Sequence, residues 1–231
     1  MELISTRHHQ LSSTGVLIAL GIIYGDIGTS PIYTLKFIIG SAVISENLVL
    51  GALSSIFWTL TLITTLKYIY LALNADNKGE GGIFALYALV RRYKAKWVIY
   101  PAIIGCCTLI ADGFITPAFS VSSAVEGLKL RYPSMPTTSI VVAIMIGLFT
   151  FQQFGSSIVG KTFGPIMTLW FIMLAVIGLP YIVQAPEVLK AVNPYYAFEL
   201  LTKFPHGFWL LSAIFLCTTG AEALYSDLGH C

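Results

Sequence analysis

Charged side chains are scarce in this sequence. Asp, Glu, Lys and Arg make up 10% of its 231 residues, and the net charge is only +2. Soluble domains carry about 25% charged residues, whereas here 56% of the residues are hydrophobic and the mean hydropathy is +0.81. The composition therefore excludes an ordinary soluble domain and a nucleic-acid-binding protein, and it indicates a protein that lies in a lipid bilayer.

Residues that could serve catalysis or hold a cofactor are also few. The four cysteines lack a C-x-x-C spacing, and the four histidines lie near the chain ends or in a predicted loop. The glycines at 79, 81 and 82 do not follow a strand at a phosphate-binding spacing. We find no Ser/His/Asp arrangement either, and we therefore predict a protein that is not an enzyme and that has no resident cofactor.

Long apolar runs dominate the chain instead. About 20 apolar residues cross a bilayer as a helix, and six segments qualify, at about 13–41, 48–73, 97–125, 138–158, 162–185 and 208–231. A polar, glycine-containing segment with a short apolar stretch at 83–90 separates the second run from the third. We predict a single all-α transmembrane domain over residues 1–231 with about six helices.

Lys and Arg are distributed unevenly between the predicted loops, and this bias sets orientation because loops rich in them stay cytoplasmic. Seven fall on one side, at Arg7, in the segment 74–96 and at Lys161. Four fall on the other side, at Lys129, Arg131, Lys190 and Lys203. We predict a multi-pass protein of the cell (inner) membrane with a cytoplasmic N-terminus.

A polar insert, residues 25–33, interrupts the first apolar run. An acid such as Asp26 at bilayer depth is costly unless it faces a cavity or a partner. Gly25, Gly28 and Pro31 would let the helix unwind there and free backbone carbonyls beside the carboxylate. Secondary transporters hold cations at such broken helices, so we predict a cation site at Asp26.

The third run carries a second group of polar residues. Pro117 removes a backbone donor, so this helix should bend or open between Asp112 and Pro117. Thr116 and Ser120 are four residues apart and lie on one helical face, where their hydroxyl oxygens could coordinate a desolvated cation.

The sixth run carries a third group. Gly220 and its small neighbours allow a second break, and Thr219 and Glu222, three residues apart, should share a helical face. A carboxyl group in a low-dielectric cavity holds its proton more tightly, whereas a bound cation expels it. Glu222 is therefore our first candidate for proton coupling, and Asp112 is the second.

Five short motifs occur in order along the chain, at 25–31 (Gly-Asp-Ile-Gly-Thr-Ser-Pro), 79–83, 115–118, 159–161 and 221–225. With these motifs the sequence resembles the KUP/HAK/KT potassium-uptake permeases, most closely the bacterial members. The resemblance covers essentially the whole chain, and the first and last motifs are highly specific to that family.

The resemblance implies the LeuT-like fold of the amino acid–polyamine–organocation superfamily, in which two inverted five-helix repeats contain broken spans one and six. It also implies K⁺ uptake in symport with H⁺. By this likeness the K⁺ path would be lined by Asp26, Tyr33, Thr116, Ser120, Thr219 and Glu222.

Members of that family have more spans and a cytosolic domain. We therefore expect this chain to be a truncated N-terminal portion, the first repeat with the start of the second, that does not transport alone. Transport by the chain alone would require a homodimer that completes the site between two copies. Two alternatives are an amino-acid or organic-cation carrier of the same superfamily, against which three acids argue, and a non-transporting fragment.

Overall fold

The computed structural model describes residues 20–21, 24–40, 43–77, 80–92, 96–129, 131–153, 156–204 and 207–226. Within these ranges the chain forms helices and turns and no strand, apart from an isolated antiparallel bridge between Asn77 and Glu80. The all-α prediction is therefore confirmed for the described part of the chain. The predictions made for Arg7, for most of the first half of span one and for residues 227–231 lie outside it.

The helices are α1 (Ser30–Ile39), α2 (Glu46–Thr59), α3 (Gly82–Arg91), α4 (Ile99–Lys129), α5 (Thr137–Gln152), α6 (Ser156–Gln184), α7 (Pro194–Lys203), α8 (Gly207–Phe215) and α9 (Ala223–Ser226). A helical segment at 24–27 precedes α1. α2 continues as a π-helix over Leu60–Leu71 and a 3-10 turn over Ala72–Asn74. Further 3-10 segments cover Lys96–Val98, Pro186–Val192 and Leu216–Thr218.

Three of the described helical stretches are long and apolar enough to cross a membrane: Glu46–Asn74, Lys96–Lys129 and Thr162–Gln184. They coincide with the second, third and fifth predicted spans. The fourth and sixth predicted spans correspond to shorter apolar helices at Thr137–Phe151 and Gly207–Thr218. A multi-pass membrane protein follows from these helices, while the count of six and the LeuT-like arrangement stay predictions.

Two local expectations differ from the structure. Residue 161, which we placed in a loop, lies inside α6, because a single glycine in the motif at 159–161 costs only about 1 kcal/mol in a helix and does not end it. The predicted loop after the fifth span contains α7. Asn193 begins α7 by accepting a hydrogen bond from the Tyr195 amide at 3.0 Å, and Pro194 occupies the first turn, where no amide donor is needed.

The packed core lies where α1, α2, α7 and α8 meet. Leu48 and Leu200 are almost fully buried there, and the backbones approach closely, since a Cβ added at Gly51 would lie 2.9 Å from Leu200 Cβ. The Ser54 hydroxyl and the Trp58 indole of the second span donate to the carbonyls of residues 193 and 192, each at 2.9 Å. Small residues and such interhelical bonds are what hold helices together in a bilayer. This packing fixes α1, and the break that precedes it, beside the end of α8.

Candidate functional site

The first span is broken where the sequence predicts. The helical segment at 24–27 ends in a turn at Gly28 and Thr29, and α1 begins at Ser30 with Pro31 in its first turn. Proline is tolerated there because the first amides of a helix have no helical partner. Within the described residues the helix is therefore interrupted at Gly28 and Thr29, inside the range 25–31 where the sequence predicts a break.

The carbonyls of Gly25 and Asp26 at this break are not free, contrary to our expectation, whereas the Ile27 carbonyl lacks the usual amide donor four residues on because that residue is Pro31. The Asp26 carbonyl accepts hydrogen bonds from the Ser30 hydroxyl at 2.6 Å and from the Thr29 amide at 3.1 Å. The Thr29 hydroxyl also donates to the Gly25 carbonyl, at 3.2 Å. Hydroxyl side chains one turn further on therefore satisfy these groups, as Ser and Thr do when they bond back to their own helix. Side-chain oxygens, more than the carbonyls, are left for a ligand.

Trp170 of α6 satisfies the Gly28 carbonyl of the break, and sequence reasoning missed it. Its indole Nε1 donates to the Gly28 carbonyl at 3.1 Å. Gly28 is buried against the same helix, since a Cβ added there would lie 2.7 Å from Phe171 Cζ and 2.9 Å from Met167 Cε. A buried indole needs an acceptor, but the sequence gives no sign that this acceptor lies 142 residues away.

The sixth predicted span is also broken, and its break touches the first one. α8 is followed by the 3-10 segment, a turn at 219–222 and then α9. Gly220 has φ of +89°, which favours glycine, and a Cβ added there would lie 2.6 Å from Asp26 Cβ. The second break is therefore confirmed, and the structure brings Asp26 and Gly220 together.

Thr219 and Glu222 do not share a helical face, because they belong to this turn. The Thr219 hydroxyl donates to the Leu216 carbonyl at 2.8 Å, and the Glu222 carboxylate accepts from the Gly220 amide at 3.3 Å. The expectation of a common face is wrong for this reason, although both side chains remain next to the Asp26 break.

α4 presents the third group. It stays helical through Pro117, so of the expected bend or opening the opening does not occur; proline costs this helix a backbone bond without ending it. The buried Thr116 hydroxyl donates to Asp112 Oδ1 at 2.7 Å, a pairing that their four-residue spacing allows. One turn on, Ser120 Oγ is buried and has no hydrogen-bond partner among the described residues.

Tyr33 connects the three groups. It is 6% exposed, and its hydroxyl forms a 2.6 Å hydrogen bond with that of Ser30. The hydroxyls of Ser120 and Thr219 lie beside it. Hydroxyl oxygens from α1, α4 and the break in span six therefore converge on one point.

Three acids next to this cluster interact with one another. The carboxyl groups of Asp112 and Glu222 act on each other electrostatically, and the charge of Asp112 also acts on Asp26. None of the ion pairs in the described part of the chain includes these acids. Negative charge without a basic partner at bilayer depth favours a bound cation or proton.

The described residues contain no group of three His, Cys, Asp or Glu side chains that could hold a metal ion by themselves. A cation here would need hydroxyl oxygens in addition to carboxylate oxygens. Such mixed neutral and charged oxygen sets suit hard cations rather than transition metals.

Two cavities flank this arrangement. One of about 380 Å³ is lined by Glu222 and Tyr225 together with Lys67 and Tyr68. The other, of about 280 Å³, is lined by Tyr33 and the ion-paired side chains Lys36 and Glu126. Among the predicted site residues, Glu222 therefore faces the first cavity and Tyr33 the second.

Comparison with known proteins gives consistent matches. The K⁺ potassium transporter integral membrane domain matches residues 13–231. The probable potassium transport system protein Kup of Flavobacterium psychrophilum is 62% identical over 224 residues, 97% of this chain and 34% of that protein. The corresponding protein of Enterococcus faecalis is 51% identical over 235 residues, 96% of this chain and 35% of that protein. The chain spans about a third of the length of these curated relatives. Comparison with solved structures found no match.

Proposed function

This chain belongs to the K⁺ potassium transporter family, and we propose that it forms the part of a transporter that binds K⁺ and couples its movement to that of H⁺. The observation that carries the proposal is the contact between two helix breaks, at Asp26 and Gly220, with unpaired acids around them. The curated relatives are named as potassium transport proteins, so an amino-acid or organic-cation carrier is not favoured.

In the proposed site Asp26 is the primary ligand of K⁺. Its carboxylate supplies the charge, and neutral oxygens replace the hydration water of the ion. The buried hydroxyl of Ser120 supports this reading, because a hydroxyl without a partner costs free energy that a ligand would offset. The complete proposed K⁺ site consists of Asp26, Tyr33, Thr116, Ser120, Thr219 and Glu222.

Proton coupling is assigned to the carboxyl pair of Asp112 and Glu222. The proton that such a pair shares belongs to both groups. A K⁺ that reaches Glu222 competes with this proton, because both neutralise the same negative charge. If the pair releases this proton to the inside and takes up another from the outside, K⁺ uptake depends on the proton gradient.

We further propose that the N-terminus is cytoplasmic in the cell (inner) membrane and that the remaining two thirds of a full-length transporter supply the spans that face this site. In transporters built from inverted repeats the substrate site lies at the interface of the repeats. Expressed alone, the chain should therefore not transport, unless a homodimer completes the site.

A chimera tests the proposal: this chain replaces the matching third of the Flavobacterium psychrophilum relative, with which it shares 62% identity. In a host that lacks K⁺ uptake, the chimera should support growth at low K⁺. Asp26→Asn keeps the side-chain volume and removes the charge, so growth should be lost while the protein still reaches the membrane. Glu187→Gln, on an exposed 3-10 segment, is the control and should grow normally. Near-normal growth of Asp26→Asn would remove Asp26 from the site.

A further inference from the structure

We propose that the cavity lined by Tyr33, Lys36 and Glu126 is a second cation site, an outer vestibule where an incoming K⁺ displaces the ammonium group of Lys36. The ion then passes Tyr33 to the site at Asp26. This inference rests on the proposed function and assigns a site that the function itself does not need.

The ion pair between Lys36 and Glu126 is the starting observation. Lys36 Nζ lies 2.9 Å from Glu126 Oε2 and joins α1 to α4, whereas the other ion pairs of the described residues join side chains three or four positions apart. The side chains of Lys36 and Glu126 are 65% and 53% exposed. Exposed pairs contribute little to stability and open readily, so this pair suits an exchangeable contact better than a structural one.

The chemistry of the vestibule suits a monovalent cation. An ammonium group and K⁺ carry the same charge and have similar size, so a place that holds one can hold the other. Ser122 and Ser123 line the same cavity, one turn before Glu126 on α4, and offer hydroxyl oxygens. The rings of Phe37 and Phe119, with centroids 5.4 Å apart, form an aromatic wall whose faces attract cations.

Tyr33 links the vestibule to the inner site. It lines the cavity, and its hydroxyl is bonded to Ser30 beside Asp26. Lys36 follows Tyr33 by one turn on α1, and Glu126 follows Ser120 by less than two turns on α4. The vestibule therefore lies beyond the C-terminal side of the inner-site residues on both helices. With the N-terminus cytoplasmic, as proposed, this side faces outward.

Two single substitutions in the chimera test the proposal by the direction in which each changes the KM for K⁺. Glu126→Gln removes the carboxylate that attracts K⁺, so the KM for external K⁺ should rise roughly two- to fivefold. Lys36→Gln removes the tethered competitor, so the KM should fall by a similar factor. The maximal rate should change little in either variant, because neither residue belongs to the inner site.

A second ion pair provides matched controls. Lys203 and Glu199 lie 2.8 Å apart on α7, and their hydrogen bond raises the pKa of Lys203, which keeps that ammonium group charged at neutral pH. Lys203→Gln and Glu199→Gln should leave the KM unchanged. If Lys36→Gln and Glu126→Gln both raise the KM, the ion pair only holds α1 and α4 together, and the proposal fails. The proposal also fails if neither substitution changes the KM. Asp26→Asn tests the inner site by loss of growth, so the two proposals can fail separately.

Discussion

The hydrogen bond from Trp170 to the Gly28 carbonyl offers the sharpest test of how the break in span one is held. Trp170→Phe keeps an aromatic ring against the break and removes the indole donor. The carbonyl belongs to a buried residue, and leaving a buried acceptor unsatisfied costs about 1–3 kcal/mol. That cost corresponds to roughly 5- to 150-fold in an equilibrium constant.

We expect a substantial part of this cost to appear as a raised KM for K⁺, because the bond holds the backbone two residues from Asp26. The rest should appear as lower thermal stability of the purified protein. Rb⁺ or K⁺ uptake by the chimera gives the KM, and thermal unfolding in detergent gives the stability. Neither loss should exceed about 3 kcal/mol.

Trp58 provides a matched control, since its indole donates to the Val192 carbonyl at 2.9 Å, far from the break. Val192 is 50% exposed, so water can replace the donor in Trp58→Phe. This variant should change the KM less than twofold. A Trp170→Phe protein with lower stability and an unchanged KM would refute the reasoning, because the bond would then support only the fold.

Three further predictions concern the site itself. Ser120→Ala should raise the KM for K⁺ without lowering the unfolding temperature, since the buried hydroxyl has no partner to lose; an unchanged KM would exclude Ser120 from the site. Gly220→Ala should lower the free energy of unfolding by more than about 1 kcal/mol, because Gly220 has φ of +89° and the added Cβ would also collide with Asp26. The control Gly127→Ala, in open space on α4, should not lower it. In vesicles an inward proton gradient should accelerate K⁺ uptake, and Glu222→Gln should make uptake indifferent to the gradient. Persistent gradient dependence in that variant would count against the carboxyl pair as the coupling device.

The two helix breaks could be predicted from the sequence because their causes are local. Glycine, proline and an acid within a few residues are visible at Asp26, and Gly220 with small neighbours is visible in span six. Local patterns mislead where the consequence is not local. Pro117 suggests an opening, yet α4 continues through it. Asn193 and Pro194 carry the start signal of α7, although the prolines of this segment favour a loop.

The contacts that complete the site could not be predicted, because they join residues that are far apart in the chain. Trp170 and Gly28 are 142 residues apart, and Lys36 and Glu126 are 90 apart. No spacing rule connects such pairs; only the packing of α6 and α4 against the first span brings them together. The hydrogen bond from Ser30 to the Asp26 carbonyl could have been predicted, because a serine often donates to the carbonyl four residues before it in a helix.

The capped carbonyls at the first break affect how such a protein evolves. A selectivity filter made of backbone carbonyls, as in K⁺ channels, is the same whatever residue occupies the position. In the proposed site the oxygens that face the ion come from side chains, so each is specified by one codon. A lineage could then alter its preference among alkali cations by successive point mutations, each tested by selection, without rebuilding the backbone.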